Sequence, residues 1–254
     1  MVDKLIIKFI TSNKGKVLSM RKWVEPLGIK VYKHRKKISF REMKLPSVED
    51  VAIQKALDVS LQIKNPFVVQ DSGFFLEALP GFPGPDVNHV LSTVGINGIL
   101  KMVPKNRRSC YFKDVLAFWS PSLVEIRPYE VRIIKENGYI KYISTAFKEE
   151  TLASNIILFV SQVFGTVAKK PSEVKNSGAW SELWKIFIPL GFSSTLASMD
   201  SVERFRFSQE VRLKPEFNCF LAFANWIKSN INHLYVQSSF IEDLYKDPVK
   251  NQRN

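Results

Sequence analysis

The opening third of this 254-residue chain alternates short apolar runs with segments of helical period, and that order restricts the fold more than any other feature. Leu5 to Thr11 is nearly continuous apolar sequence interrupted by Lys8, which fits a buried strand. Asn13 is a natural N-cap for a first helix. Val17, Met20, Val24 and Leu27 share one helical face, and Gly28 is a natural C-cap. Lys30 to Arg35 reads as a second short strand. Ser47 then caps a second helix, with Asp50 three residues on in a capping-box arrangement. Its core face holds Val51, Ala52, Ala56, Val59 and Ile63. Pro66 to Asp71 is a third strand, which Ser72-Gly73 is expected to break. Strand, helix, strand, helix, strand implies an α/β fold around a central sheet.

The rest of the chain is less regular. Leu79 to Pro85 is dense in turn residues and reads as a loop. A helix is expected over Val87–Val103 and a strand over Cys110–Trp119. Val131–Ile134 and Tyr139–Ile143 flank Glu136-Asn137-Gly138, and Asn-Gly is a strong hairpin signal. Leu152 to Phe164 is apolar, and periodicity leaves helix and strand open. Lys169–Ser177 reads as a loop and Ile186–Pro189 as a short strand. The remainder, to about Tyr245, is mostly helical, with Pro215 at a boundary between two helices. The length is long for one domain and short for two, so a single domain is expected over 1–254.

Hydrophobic residues at 45% and charged residues at 24% exclude a disordered or fibrous chain. No apolar run reaches about 18 residues, so no transmembrane helix is expected. The N-terminal sequence is too broken by charge for a signal peptide. Cys110 and Cys219 alone make neither a disulfide framework nor a zinc site, which points to the reducing cytoplasm. The net charge is +13, and residues 1–45 hold 13 basic side chains against Asp3, Glu25 and Glu42. Such a skew suits a polyanion, either nucleic acid or a nucleotide polyphosphate, or else a merely solvated surface.

Three places carry candidate chemistry. The strand-to-helix turn Thr11-Ser12-Asn13-Lys14-Gly15-Lys16 offers free helix N-terminal amides and two lysines to an anion, without the spacing of a P-loop. Asp71, at the expected end of a buried strand and followed by Ser72-Gly73, can bind Mg²⁺ or polarise a water. Glu42 lies in the loop before the second helix, and Lys55 sits near that helix's apolar face. His34, His89 and His233 are too scattered for a metal site.

Four segments, in order, resemble the inosine triphosphate pyrophosphatase family. They are Thr11 to Lys16, then Glu49-Asp50-Val51-Ala52-Ile53-Gln54-Lys55-Ala56, then Asp71-Ser72-Gly73-Phe74-Phe75-Leu76-Glu77-Ala78-Leu79, then Gly81-Phe82-Pro83-Gly84-Pro85. The resemblance implies an elongated α/β fold of two lobes, with a central mixed sheet flanked by helices and the nucleotide in the cleft between lobes. It implies a Mg²⁺-dependent homodimer that cleaves a non-standard purine nucleoside triphosphate to monophosphate and pyrophosphate. By position, Asn13 and Lys16 would grip the triphosphate together with Thr11, Ser12, Ser72 and Gly73. Lys55 would neutralise phosphate charge. Glu42 and Asp71 would hold the metal, and Asp71 would orient or deprotonate the attacking water.

The second half departs from the family. Gln70 stands where an acidic residue is usual. Trp180-Ser181-Glu182-Leu183-Trp184-Lys185-Ile186-Phe187 replaces Gly-Phe-Gly-Tyr-Asp-Pro-Ile-Phe. Arg204 replaces a lysine, and Ser208-Gln209-Glu210 replaces the Ser-His-Arg that helps read the purine. Gly165-Thr166-Val167-Ala168 still echoes the family, which makes Leu152–Phe164 a strand and residues 121–155 an insertion. A rival reading is a catalytically weakened relative that binds nucleotide or nucleic acid through Lys33-His34-Arg35-Lys36-Lys37. A third is an interaction role for the insertion.

Overall fold

The computed structural model describes residues 5–41, 44–120, 124–125, 132–135, 139–146, 153–174 and 181–230. The first βα unit forms as its sequence dictates. In β1 (Ile6–Ile10), Ile7 and Phe9 alternate into the core. The Asn13 side-chain oxygen accepts from the amides of Gly15 at 2.8 Å and Lys16 at 3.3 Å, which starts α1 (Lys14–Val24). Such a cap is worth about 1 kcal/mol. Gly28 ends the following turn at φ +81°, and β2 (Lys30–Lys33) pairs parallel to β1. The Ser47 hydroxyl caps α2 (Val48–Ser60) by accepting from the Asp50 amide at 3.0 Å. Val48, Ala52, Ala56 and Val59 are fully buried, whereas Val51 is only half-buried.

Ser72-Gly73 does not break the third strand. β3 (Phe67–Leu76) runs through it and pairs antiparallel with β5 (Ser109–Trp119) from Phe67↔Trp119 to Leu76↔Cys110. Gly73 is needed there for room. A Cβ would come 2.7 Å from Val48 Cγ2 and 3.0 Å from the Gly84 carbonyl oxygen. The turn-rich Leu79–Pro85 segment is likewise a strand, β4 (Leu79–Gly84), antiparallel to β3, with a cis Phe82-Pro83 peptide. The helix expected over Val87–Val103 is two, α3 (Val87–Thr93) and α4 (Gly95–Met102), parted where Gly95 adopts φ +65°.

Short β6 (Val124–Glu125) pairs with β9 (Ala153–Val167). β7 (Arg132–Lys135) and β8 (Tyr139–Ala146) pair antiparallel, and the Asn137-Gly138 turn lies outside the described residues. β9 settles the apolar run as strand from Ala153 on, and Leu152 lies outside the described residues. Residues 169–174 contain no helix or strand, and 175–177 lie outside the described residues. β10 (Phe187–Pro189) pairs with the end of β9. α5 (Ser201–Phe207) runs into a π turn over Ser208–Arg212, a 3₁₀ turn starts at Pro215, and a final helix, α6, spans 219–230. Residues 231–245, read as helical from sequence, lie outside the described residues.

Among the described residues the ten strands make one mixed sheet, with the path β2-β1-β3-β5-β9-β8-β7. One face carries two apolar clusters. Ile7, Phe9, Met20, Val68, Phe118, Phe159 and Phe223 pack beneath α1 and α6. Phe74, Ile99, Trp184, Phe187 and Phe207 pack at the other end, around α3, α4, β10 and α5. The opposite face packs on α2 through Val69, Val115, Ala117 and Leu158. Among the described residues no helix is long and apolar enough to cross a membrane.

Gly165 holds β9 and β10 together. A Cβ there would collide with the carbonyl oxygen of Ile188 and meet the Phe187 ring at 2.7 Å. Gly165→Ala is therefore expected to cost about 1–3 kcal/mol and to lower Tm by roughly 2–12 °C. Thermal denaturation checks this, and an unchanged Tm contradicts the close packing.

Candidate active site

The site lies where β1 stops and β3 continues. The last pair joining them is Ile10↔Val69, and β4 joins β3 only from Phe74. Between these points, residues 70–73 have a ladder partner on β5 alone among the described residues. Their free edge faces the turn that leads from β1 into α1. A cavity of about 900 Å³ opens there, lined by Thr11, Ser12, Asn13, Lys16, Lys55 and Asp71, and also by Ser72 and Gly73. Every candidate phosphate or catalytic residue within the described chain therefore reaches one space. Glu42 lies outside the described residues.

Strand alternation divides the chemistry between two faces. Gln70 and Ser72 share the face of Val68 and Phe74, while Asp71 and Gly73 share that of Val69. On the first face, Lys16 Nζ donates to Ser72 Oγ at 3.3 Å, and Ser72 Oγ donates to Asp114 Oδ1 at 2.5 Å. Ser72, Asp114 and Ser161 stand in one row across β3, β5 and β9. This row separates the two apolar clusters and forms the cleft floor. Burial pushes the Asp114 carboxyl above its ordinary range, and nearby Asp71 adds to the rise. The Ser72 hydrogen bond and the Lys16 charge oppose it. Cys219, beside this row, is pushed well up, first by burial and then by Asp114, which makes it an unreactive thiol.

On the second face, Lys55 Nζ pairs with Asp71 Oδ2. Asp71 Oδ1 makes no hydrogen bond among the described residues, and Asp71 lines the cavity. Lys113 pairs with Glu49 at 2.5 Å in the next row. The turn uses backbone donors internally, the Asn13 amide donating to Thr11 Oγ1 and the Gly15 and Lys16 amides to Asn13 Oδ1. Asn13 spends its carbonyl oxygen on the α1 cap, so its side-chain N–H groups remain for a ligand. Lys33 Nζ donates to the Ser12 carbonyl at 2.9 Å and steadies the loop.

The rest of the lining mixes apolar Trp184, Phe187, Leu196 and Phe207 with polar Ser181 and Glu182. Trp184 is a core residue, 7% exposed, and Trp180 lies outside the described residues. The Ser208-Gln209-Glu210 correspondence holds for one residue only. Ser208 lines the cavity, but Gln209 is exposed and Glu210 is turned to Arg206 at 3.0 Å. Arg204 is exposed and away from the lining, while Arg212, brought round by the π turn, lines it. Asp114, Ser161 and Arg212 were missed by the sequence reading. A signal existed for the first two, because each is a polar residue on the core phase of an otherwise apolar strand.

A model of the Ham1 family matches residues 7–212. The dITP/XTP pyrophosphatase of Thermococcus kodakarensis is 34% identical over 227 residues, covering 89% of this chain and 98% of that one. The one from Hyperthermus butylicus is 31% identical, covering 85% and 94%. Among solved structures, a HAM1 protein from Coxiella burnetii superposes with a TM-score of 0.62 at 17% identity, covering 89% of this chain and 99% of that one. A nucleoside-triphosphatase / dITP/XTP pyrophosphatase from Mycobacterium abscessus gives 0.56 at 18%, covering 82% and 96%. These two speak for the fold alone. Matched over most of its length by the family model and by full-length relatives, the chain belongs to the Ham1 family.

Proposed function

We propose that this protein hydrolyses a non-standard purine nucleoside triphosphate to the monophosphate and pyrophosphate, in the cleft around β3. Relatives named dITP/XTP pyrophosphatase support the reaction class. The observation that carries the reading is the approach of two lysines to one cavity from opposite faces of the same strand, Lys16 bonded to Ser72 and Lys55 paired with Asp71. Phosphoryl hydrolysis needs positioned positive charge and an aligned water more than covalent chemistry. Lys16 and the Asn13 side-chain amide would hold the phosphates. The Asp71 carboxylate would orient or deprotonate a water against the α-phosphorus. The α–β anhydride bond then breaks, and pyrophosphate leaves with the bridging oxygen.

Magnesium fits this site. It favours hard oxygen donors and needs only one or two carboxylates besides phosphate and water. Asp71 Oδ1 is one such oxygen, and Glu42 would be the other. When bound, the ion neutralises charge on the phosphate oxygens. Gln70 lines the same cavity, and its Oε1 is buried without a hydrogen-bond partner among the described residues. The same reading includes a cytoplasmic homodimer and one domain over 1–254 with an insertion at about 121–155, where β6–β8 fall.

Asp71→Asn is expected to lower pyrophosphate release with Mg²⁺ by about 10²–10⁴-fold. Turnover assays check this, and wild-type turnover removes Asp71 from the mechanism. Lys16→Ala and Lys55→Ala are expected to weaken triphosphate binding by roughly 1.5–3 kcal/mol each and nucleoside binding much less. Calorimetric titration with both ligands is the check. Equal losses for the two ligands contradict phosphate contact.

A further inference from the structure

Beyond the cleft, the parallel edge of the sheet has a face that no described element covers. The β1–β2 register sets Ile6 beside Lys30 and Lys8 beside Tyr32. Alternation puts these four side chains opposite Ile7, Phe9 and Val31, which are buried under α1. Ile6 is 48% and Tyr32 47% exposed, and Lys30 is exposed as well. The helix α2 packs farther along, on β3, β5 and β9.

The chain beyond β2 adds charge to the same side. Arg35, Lys36 and Lys37 are exposed. Ser39 and Gln62 exchange two hydrogen bonds, at 3.1 and 2.8 Å, which returns this loop along the end of α2. Lys8 Nζ donates to Asn65 Oδ1 at 2.6 Å in the loop after α2, beside exposed Lys64. From Ile29 to Phe40 there are five lysines or arginines and no acid. Lys8, Lys30, Arg35, Lys36, Lys37 and Lys64 have no acidic partner among the described residues. His34 registers this field. Burial, then the charges of Lys8 and Lys36, hold its imidazole below the usual range, and its Nε2 is buried without a hydrogen-bond partner among the described residues.

Uncompensated cations beside an exposed aromatic ring are the two elements a single-stranded polynucleotide needs, charge for its phosphates and a ring for a base. An anionic membrane would call for more apolar surface than Ile6 and Tyr32 offer. We propose that the β1–β2 face, through Lys8, Lys30, Tyr32 and Lys36, binds single-stranded nucleic acid. The surface is separate from the cleft, because none of these four residues lines the cavity.

Fluorescence anisotropy tests this, using the full chain and labelled mixed-sequence RNA and DNA strands of about 20 nucleotides over a salt series. Affinity is expected to fall with salt, with a log–log slope of about −0.7 per phosphate contacted. The triple variant Lys8→Ala, Lys30→Ala, Lys36→Ala should weaken binding at least about tenfold and flatten the slope by about 2. Tyr32→Ala should weaken it about fivefold or more at unchanged slope. Both variants should release pyrophosphate from triphosphate at the parent rate, which also shows that they fold. Absence of binding at low salt, or binding that survives the triple variant, overturns the proposal. So does equal affinity for inorganic polyphosphate that Tyr32→Ala leaves unchanged, since that surface would select charge alone.

Discussion

The hydrogen bond from Ser72 to Asp114 marks the place where an apolar sheet face turns polar across three strands at once. On either side of that row the face is apolar apart from Gln70, with Val68, Phe118 and Phe159 at one end and Phe74 and Phe112 at the other. Placing a carboxyl there is costly unless its oxygens find partners. Ser72 supplies a donor and Lys16 an opposite charge, so the polar row both parts the two apolar clusters and fixes the lysine.

The early end of β1 completes the arrangement. Because β1 stops at Ile10 while β3 runs on to Leu76, a short stretch of β3 has one edge open. Alternation along that stretch sends Ser72 to one face and Asp71 to the other, and each meets a lysine from a different helix, α1 or α2. A phosphate chain laid along the open edge would meet amines from both sides. The two helix caps, Asn13 and Ser47, set where those lysines sit.

Much of this was legible before any coordinates. The first two strands, both caps and the Asp71 strand come from local pattern, whereas the joint approach of Thr11–Lys16, Lys55 and Asp71 came from the family resemblance. The failures share a cause, which is that tertiary packing overrode local chemistry. Ser72-Gly73 looks like a break, but the glycine makes room for Val48 within a continuous strand. Leu79–Gly84 looks like a loop because of its prolines and glycines, yet it pairs with β3. Asp114 and Ser161 became meaningful only once strand register set them beside Ser72. Motif position alone puts Glu210 at the base, whereas the π turn over Ser208–Arg212 leaves it with Arg206 and brings Arg212 to the cavity.

Product analysis tests the central claim most directly. The intact protein, supplied with Mg²⁺ and deoxyinosine or xanthosine triphosphate, would be followed by separating the nucleotide and phosphate products over time. The account predicts monophosphate and pyrophosphate in equal amounts, with no diphosphate formed on the way. Release of diphosphate and orthophosphate, or no turnover of either nucleotide, would contradict it.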